Sequence, residues 1–356
     1  MKITGQTVSF ETCDIAFVRK FGLLEAARQA LAHRDAHPEL PFLMDDHQLS
    51  AFLAIGRKTL YQLARQTKEA YHPVQIPKKG GGVRQLFVPE PRLRSIQDKI
   101  YRHILIHLPI SPHATAYRTG GSLRDNAAPH VGRRYVLKMD VADFFGSIHY
   151  DLVLRVLSET PCLSRQTAWL LSELCCLDGV LPQGAPTSPA LSNLVLDRMD
   201  RTLGCWCQIQ GITYTRYCDD LTFSADCPLE GAYKKAGNLL RDMGFSLNEK
   251  KTRFLTRATR QQVTGLTVNE KVSVPNDYKR ALRQELYYAL RYGLREAIFE
   301  GKRTAFLRDG QPDPERYRAH LLGRVQYVLQ IEPENRWFQE AKKRFREIKK
   351  EESRHE

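Results

Sequence analysis

Residues 215–225 read TRYCDDLTFSA, and two adjacent aspartates, Asp219 and Asp220, stand in it between two runs of strand-forming residues. Neighbouring carboxylates repel each other, so a hairpin that keeps them needs either water at its tip or a cation beside them. Aspartate is at home in turns, and a solvated tip would need no function. Two features argue instead for a built site. Tyr217 precedes the pair and Leu221 and Phe223 follow it, so the hairpin reads as half-buried. A second strand-like run, VLKMDVADFF (136–145), also ends in acids, Asp140 and Asp143. Carboxylates at the ends of two adjacent strands suit Mg²⁺, which takes oxygen ligands and uses one or two carboxylates together with substrate phosphates. Two such ions can hold the attacking and leaving oxygens of a phosphoryl transfer in line.

Composition points to the partner. The chain has 356 residues, 54 Lys plus Arg against 40 Asp plus Glu, and a formal charge of +14. An excess of that size calls for a polyanion, and nucleic acid is a better match than a membrane surface. The N-terminal stretch MKITGQTVSFETCDIAFVRK has no apolar core after a basic start, and no apolar run of about 18 residues occurs, so a cytoplasmic protein with no membrane partner is expected. The eight cysteines (13, 162, 175, 176, 205, 207, 218 and 227) form no CxxC pair. They read as reduced, mostly buried thiols and not as a zinc site or a disulfide framework.

Outward from the hairpin, the period of the apolar residues sets the elements. FGLLEAARQALAHR (21–34) reads as an amphipathic helix, and 47–70 as two short ones. VQIPKKGGGVRQLFVPEP (74–91) reads as a hairpin around a triple glycine, and 92–108 as a helix with Leu93, Ile96, Ile100 and Ile104 on one stripe. The run 133–145 reads as a strand, 150–178 as helical, 181–203 as a Gly/Pro turn entering a helix, and 229–243 as a helix. GFSLNEKKTRFLT (244–256) and QQVTGLTVNEKVSV (261–274) look like strands. From Asp277 the chain is helical and basic, with Leu282, Leu286, Leu290, Leu294 and Ile298 at four-residue steps. Strands flanked by helices and followed by a helical third predict an α+β palm carrying helical lobes.

Five blocks then carry a resemblance. YCDD resembles the YxDD box of reverse transcriptases, DVADFF their first catalytic motif and LPQGAPTSPALSNL their nucleotide-pocket motif. KKGGGVRQLFVPEPRLRSIQ is similar to the fingers block and GFSLNEKKTRF to the later lysine motif, and all five come in family order over roughly residues 70–270. Asn126-Ala127-x-x-His130 and Val263-Thr264-Gly265 resemble the NAxxH and VTG signatures of bacterial retron reverse transcriptases. A retroviral enzyme would carry an acid-clustered RNase H region where this tail is helical and basic, and a group II intron enzyme would add a maturase region.

The resemblance implies a right-hand polymerase fold of fingers, antiparallel palm and helical thumb. The corresponding divisions are N-terminal helices and fingers at 1–132, a palm at 133–265 with a fingers-associated helical insertion near 150–180, and a basic thumb at 266–356. It implies catalysis by Asp140, Asp219 and Asp220, with two Mg²⁺ ions held by Asp140, Val141, Asp219 and Asp220. Arg84, beside Lys78 and Lys79, has chemistry that suits a triphosphate. By resemblance Gln183 touches the incoming nucleotide, Gly184 lets backbone approach it closely, and Phe145 excludes ribonucleotides. Lys251 assists pyrophosphate departure, with Lys250 the competing choice. Asn126, His130, Val263, Thr264 and Gly265 are expected to serve a structural or RNA-contacting role, and Lys279, Arg283 and Arg291 to grip RNA phosphates. The expected partners are dNTPs, a cognate non-coding RNA used as template and 2′-OH primer, its msDNA product, and an effector or toxin protein of an antiphage system. Another bacterial reverse transcriptase, diversity-generating or group II intron-like, and an RNA-binding scaffold holding a toxin inactive are the competing readings.

Overall fold

The structure, a computed structural model, describes residues 38–77, 81–160 and 162–352, with side chains through 346, and a few isolated positions before residue 38. The helix expected at 21–34 and the hairpin-tip residues Lys78, Lys79 and Gly80 lie outside the described residues. The chain divides into two compact units. One comprises Met1–Gly120, Val141–Cys205 and Ala236–Asn248; the other comprises Gly121–Asp140, Trp206–Lys235 and Glu249–Glu356.

In the first unit, Asp45 caps the helix Asp46–Leu53 by accepting from the Gln48 amide at 2.7 Å. A second short helix spans Arg57–Arg65. Strands β1 (Tyr71–Pro77) and β2 (Val83–Pro89) then pair from Tyr71↔Pro89 to Pro77↔Val83. The ribbon is largely solvated: Val74, Ile76 and Val83 are exposed, and Tyr71 is buried at its base. Pro91 opens the next helix, Pro91–His103, whose buried stripe is Leu93, Ile96 and Ile100. It ends five residues earlier than the periodicity predicts, because Ile104 leaves the helical region and Leu105–His107 tightens into a 3₁₀ turn. Buried Gln97 ties this helix to the ribbon's base, donating to the Tyr71 hydroxyl and the Leu174 carbonyl at 2.7 Å each. The helical run at 150–178 is two helices, Tyr150–Ser158 and Arg165–Cys175, the second capped by Ser164.

The second unit holds a four-stranded antiparallel sheet, as the palm reading requires. Its strands are β3 (Tyr135–Asp140), β4 (Thr213–Tyr217), β5 (Asp220–Ala225) and β6 (Arg253–Thr256), in the spatial order β4-β5-β3-β6. Side chains alternate across a strand and opposite residues share a face. One face therefore carries Leu137, Met139, Leu221, Phe223 and Tyr214, with the Tyr214 and Phe223 rings stacked at 4.9 Å. The other carries Asp140, Asp220, Lys138, Thr222, Thr215 and Ser224. Of the run 244–256 only β6 is strand. The run 261–274 contributes a minimal hairpin, β7 (Gln262–Val263) with β8 (Leu266–Thr267). Its turn residues Thr264 and Gly265 both have positive φ, 46° and 82°, the signature of the mirror-image turn that matches strand twist.

The C-terminal helices pack Leu282, Leu286, Leu294, Ile298, Leu321, Val325, Phe338 and Phe345 into one core. The four-residue apolar repeat does not mark a single helix. Gly293, at φ 90°, separates Asn276–Tyr292 from Leu294–Glu300, and Leu290 is only partly buried. Two further helices follow, Pro314–Ile331 and Arg336–Glu352. Among the described residues no helix is long and apolar enough to cross a membrane. The described cysteines are free, and most are buried as expected: Cys162, Cys175, Cys176 and Cys207 are inside, Cys218 is half-buried, and Cys205 and Cys227 are exposed.

Candidate active site

The acidic pair is not a symmetric tip. Cys218 and Asp219 form the two-residue turn, with φ of 60° at Cys218, and the buried Arg216 guanidinium donates to the Cys218 carbonyl at 2.9 Å. Asp220 already belongs to β5, where it lies opposite Tyr217 of β4 and opposite Asp140, the last residue of β3. Opposite residues in an antiparallel ladder have Cα atoms about 5 Å apart, so the two carboxylates leave the same face side by side. Burial pushes the Asp220 carboxyl above its ordinary pKa; Lys138 opposes that rise, and the Asp219 and Asp140 charges add to it.

Lys251 answers part of this charge. Its Nζ lies 3.0 and 2.9 Å from the two carboxylate oxygens of Asp140, which is buried. That hydrogen bond raises the lysine's own pKa. Of the two candidates, Lys251 and not Lys250 reaches the acid. Among the described residues no group of three or more His, Cys, Asp or Glu side chains forms a ready-made metal cage. The donors nevertheless fit a hard divalent cation: they are carboxylate oxygens, one of them disfavoured as an anion by burial and then by its acidic neighbours, and an ammonium stands where a cation would sit on Asp140. Lys138 escaped the sequence reading, although strand alternation two residues before Asp140 puts it on the acidic face.

Val141, Arg84, Phe145, Gln183 and Gly184 belong to the first unit. There the Gln183 carbonyl accepts from the Phe87 amide at 2.8 Å. Gly184 has φ 132°, and a Cβ on it would lie 2.6 Å from the Phe87 carbonyl oxygen. Gly184 thus approaches the backbone of β2 closely, the strand that also carries exposed Arg84. After Val141, the amide of Ala142 donates to Ser246 at 2.9 Å, and regular strand stops. Phe144 is buried and stacks on Phe245 at 6.3 Å; Phe145 meets the edge of Phe144 at 5.3 Å and stays half-buried. Asp143, at φ 42°, folds its carboxylate over Gly146, where a Cβ would overlap it.

Several expected RNA contacts are corrected. Asn126, His130 and Val263 are fully buried and have no surface to offer RNA. Asn126 lies in a short helix, Leu123–Ala127, closed by a Ser122–Asp125 capping box, and its Nδ2 is 3.5 Å from Thr264 Oγ1. His130 Nδ1 is 2.7 Å from Ser224 Oγ and Nε2 is 2.8 Å from Thr215 Oγ1. Burial, and secondarily Arg133, lowers its pKa to about 3, so the ring is neutral. Lys279 is also inside, paired with Glu332 at 2.7 Å, because Glu332 would otherwise be a lone buried charge. Gly265 is exposed at its turn. Arg283 and Arg291 are exposed: Arg283 lies over Trp337 at 5.3 Å, and Arg291 over Tyr287 and Tyr292 at 5.7 and 5.6 Å.

Comparison with known proteins agrees with this geometry. The family model described as Reverse transcriptase (RNA-dependent DNA polymerase) matches residues 76–269. The chain is 36% identical over 318 residues to the retron Mx65 reverse transcriptase of Myxococcus xanthus, covering 83% of this chain and 70% of that one. It is 30% identical over 298 residues to the retron Ec86 reverse transcriptase of Escherichia coli, covering 82% and 86%. A solved apo telomerase from Candida tropicalis overlaps 62% of this chain and 61% of its own at TM-score 0.42 and 12% identity, too distant a likeness to bear on function.

Proposed function

Because the chain belongs to the reverse transcriptase (RNA-dependent DNA polymerase) family, in its retron branch, and is an RNA-directed DNA polymerase, we propose that it copies a cognate structured non-coding RNA into msDNA at the Asp140–Asp220 strand end. The observation that carries this reading is the register that sets Asp140 opposite Asp220, with Asp219 beside them and Lys251 on Asp140. Asp140, Asp219, Asp220 and the Val141 backbone would hold two Mg²⁺ ions. When bound, such ions lower the pKa of a sugar hydroxyl and offset the charge on a triphosphate. The residues themselves orient and neutralise. Lys251 is a positive charge next to the acids that would suit a phosphate. Lys138 tempers the charge of Asp220. Arg84 meets the triphosphate, Gln183 the nucleotide, and Phe145 stands against a 2′-OH.

In this reading residues 1–132 are N-terminal helices and fingers, 133–265 the palm and 266–356 the thumb. Arg283, Arg291 and the exposed tyrosines of Asn276–Tyr292 grip the RNA. The proposal extends to priming from an internal 2′-OH, an antiphage role with an effector protein and a cytoplasmic location, as the resemblance to retron enzymes implies. The test is to purify the protein with its flanking transcript and supply dNTPs and Mg²⁺. Discrete DNA joined to RNase-sensitive RNA is expected, and Asp219→Asn should abolish it. Unchanged synthesis in that variant would remove the metal assignment.

A further inference from the structure

His130 is sealed in the second unit and takes no part in the chemistry just described, yet both its ring nitrogens are committed to the hairpin that carries the acids. Thr215 and Ser224 stand on different strands, β4 and β5, on the face that also carries Asp140 and Asp220. The imidazole joins them at 2.8 and 2.7 Å. A neutral imidazole has one donor and one acceptor, and each hydroxyl can take either role, so a single ring satisfies both strands. The tie matters because, among the described residues, β4 is an edge strand paired on one side only, and because the turn it leads into places non-glycine Cys218 at φ 60°. Five residues after His130 the same segment enters β3, which ends at Asp140. One short stretch of chain thus delivers one carboxylate and clamps the strands that deliver the other two.

We propose that His130 is a positioning residue for nucleotide addition: by pinning β4 to β5 it fixes Asp219 and Asp220 relative to Asp140. This rests on the polymerase reading. Misplacing a reacting group by about 1 Å costs on the order of 100-fold in rate, so the effect falls on the chemical step and spares binding.

The experiment is single-turnover extension of an oligo(dT) primer on poly(rA) with dTTP and Mg²⁺, comparing wild type with His130→Phe, His130→Gln, and the double variant Thr215→Val/Ser224→Ala. Rate constant and amplitude are read separately, because a fold defect lowers the amplitude and a positioning defect lowers the rate. His130→Phe and the hydroxyl double variant should each slow addition about 10- to 100-fold, with dTTP KM and poly(rA) affinity within about twofold. Combining them should add nothing further, since they break one tie, and His130→Gln, which keeps a donor and an acceptor, should recover part of the rate. A full rate constant with reduced amplitude would overturn the proposal, and so would weakened RNA binding at an unchanged rate. Either result would leave the polymerase reading standing on the wild-type extension.

Discussion

Lys251 rests its ammonium group between the two oxygens of Asp140, 2.9 and 3.0 Å from them. A cation already in contact with a buried carboxylate competes with any divalent ion for it. Lys251→Gln removes the competitor and one positive charge, so Mn²⁺ binding to the apoprotein should tighten about three- to tenfold, near the 1.4 kcal/mol that a tenfold change represents. DNA synthesis should nevertheless slow, because no ammonium remains to meet the departing phosphates. Calorimetric titration with Mn²⁺ beside a primer-extension assay checks both halves.

Asp220 is held in a setting that disfavours its charge. Its pKa is raised by burial first, with Asp219 and Asp140 adding to the effect. An acid whose folded pKa lies above its unfolded value binds more protons when folded, so stability falls as pH rises through that window and stays reduced at neutral pH. Asp220→Asn should therefore raise the thermal midpoint at pH 7 by about a degree or two, lose that advantage near pH 3, and abolish polymerisation. Differential scanning calorimetry across pH 3–7 reads the trend.

The Lys279–Glu332 pair makes the opposite demand. Both side chains are nearly buried, and Glu332 also accepts from the Val274 amide at 2.8 Å. Lys279→Met would strand the carboxylate at a cost of roughly 3 kcal/mol. Because Lys279 is not at the surface, the salt dependence of RNA binding should stay as in the wild type. Denaturant unfolding and a filter-binding salt series separate these two effects.

Arg283 and Arg291 should behave the other way round. They are exposed beside Trp337 and Tyr287, so Arg283→Ala/Arg291→Ala should cost little stability. Affinity for the cognate RNA should fall, and the slope of log K against log salt should flatten by about 1 to 2. The same filter-binding series measures it.

Much of the site could be read from local patterns. The acids in YCDD and DVADFF sit at strand ends, and alternation through LKMD already puts Lys138 on the face of Asp140. What could not be read depends on partners far along the chain. The clamp on His130 joins residues 85 and 94 positions away, and its motif gave no hint of which hydroxyls it holds. A basic helix looks the same whether a lysine meets phosphate or a buried glutamate, so Lys279 was placed on the wrong side of the surface. Gly293 was visible, but an unbroken four-residue repeat hid the helix end that its φ of 90° creates.

The solvated ribbon of β1 and β2 carries one more consequence. The Phe87 amide points away from β1 to reach Gln183, so by the alternation of the ladder its partner Pro73, and Pro77 four residues on, stand where β1 would otherwise aim backbone donors outward. Proline has no such donor. An edge with Val74 and Ile76 exposed would otherwise be a template on which a second copy could add a strand. Two of the outward donors on β1 are thus removed, leaving the Gln75 amide isolated between them, so a second copy would meet a broken row of donors instead of a continuous one.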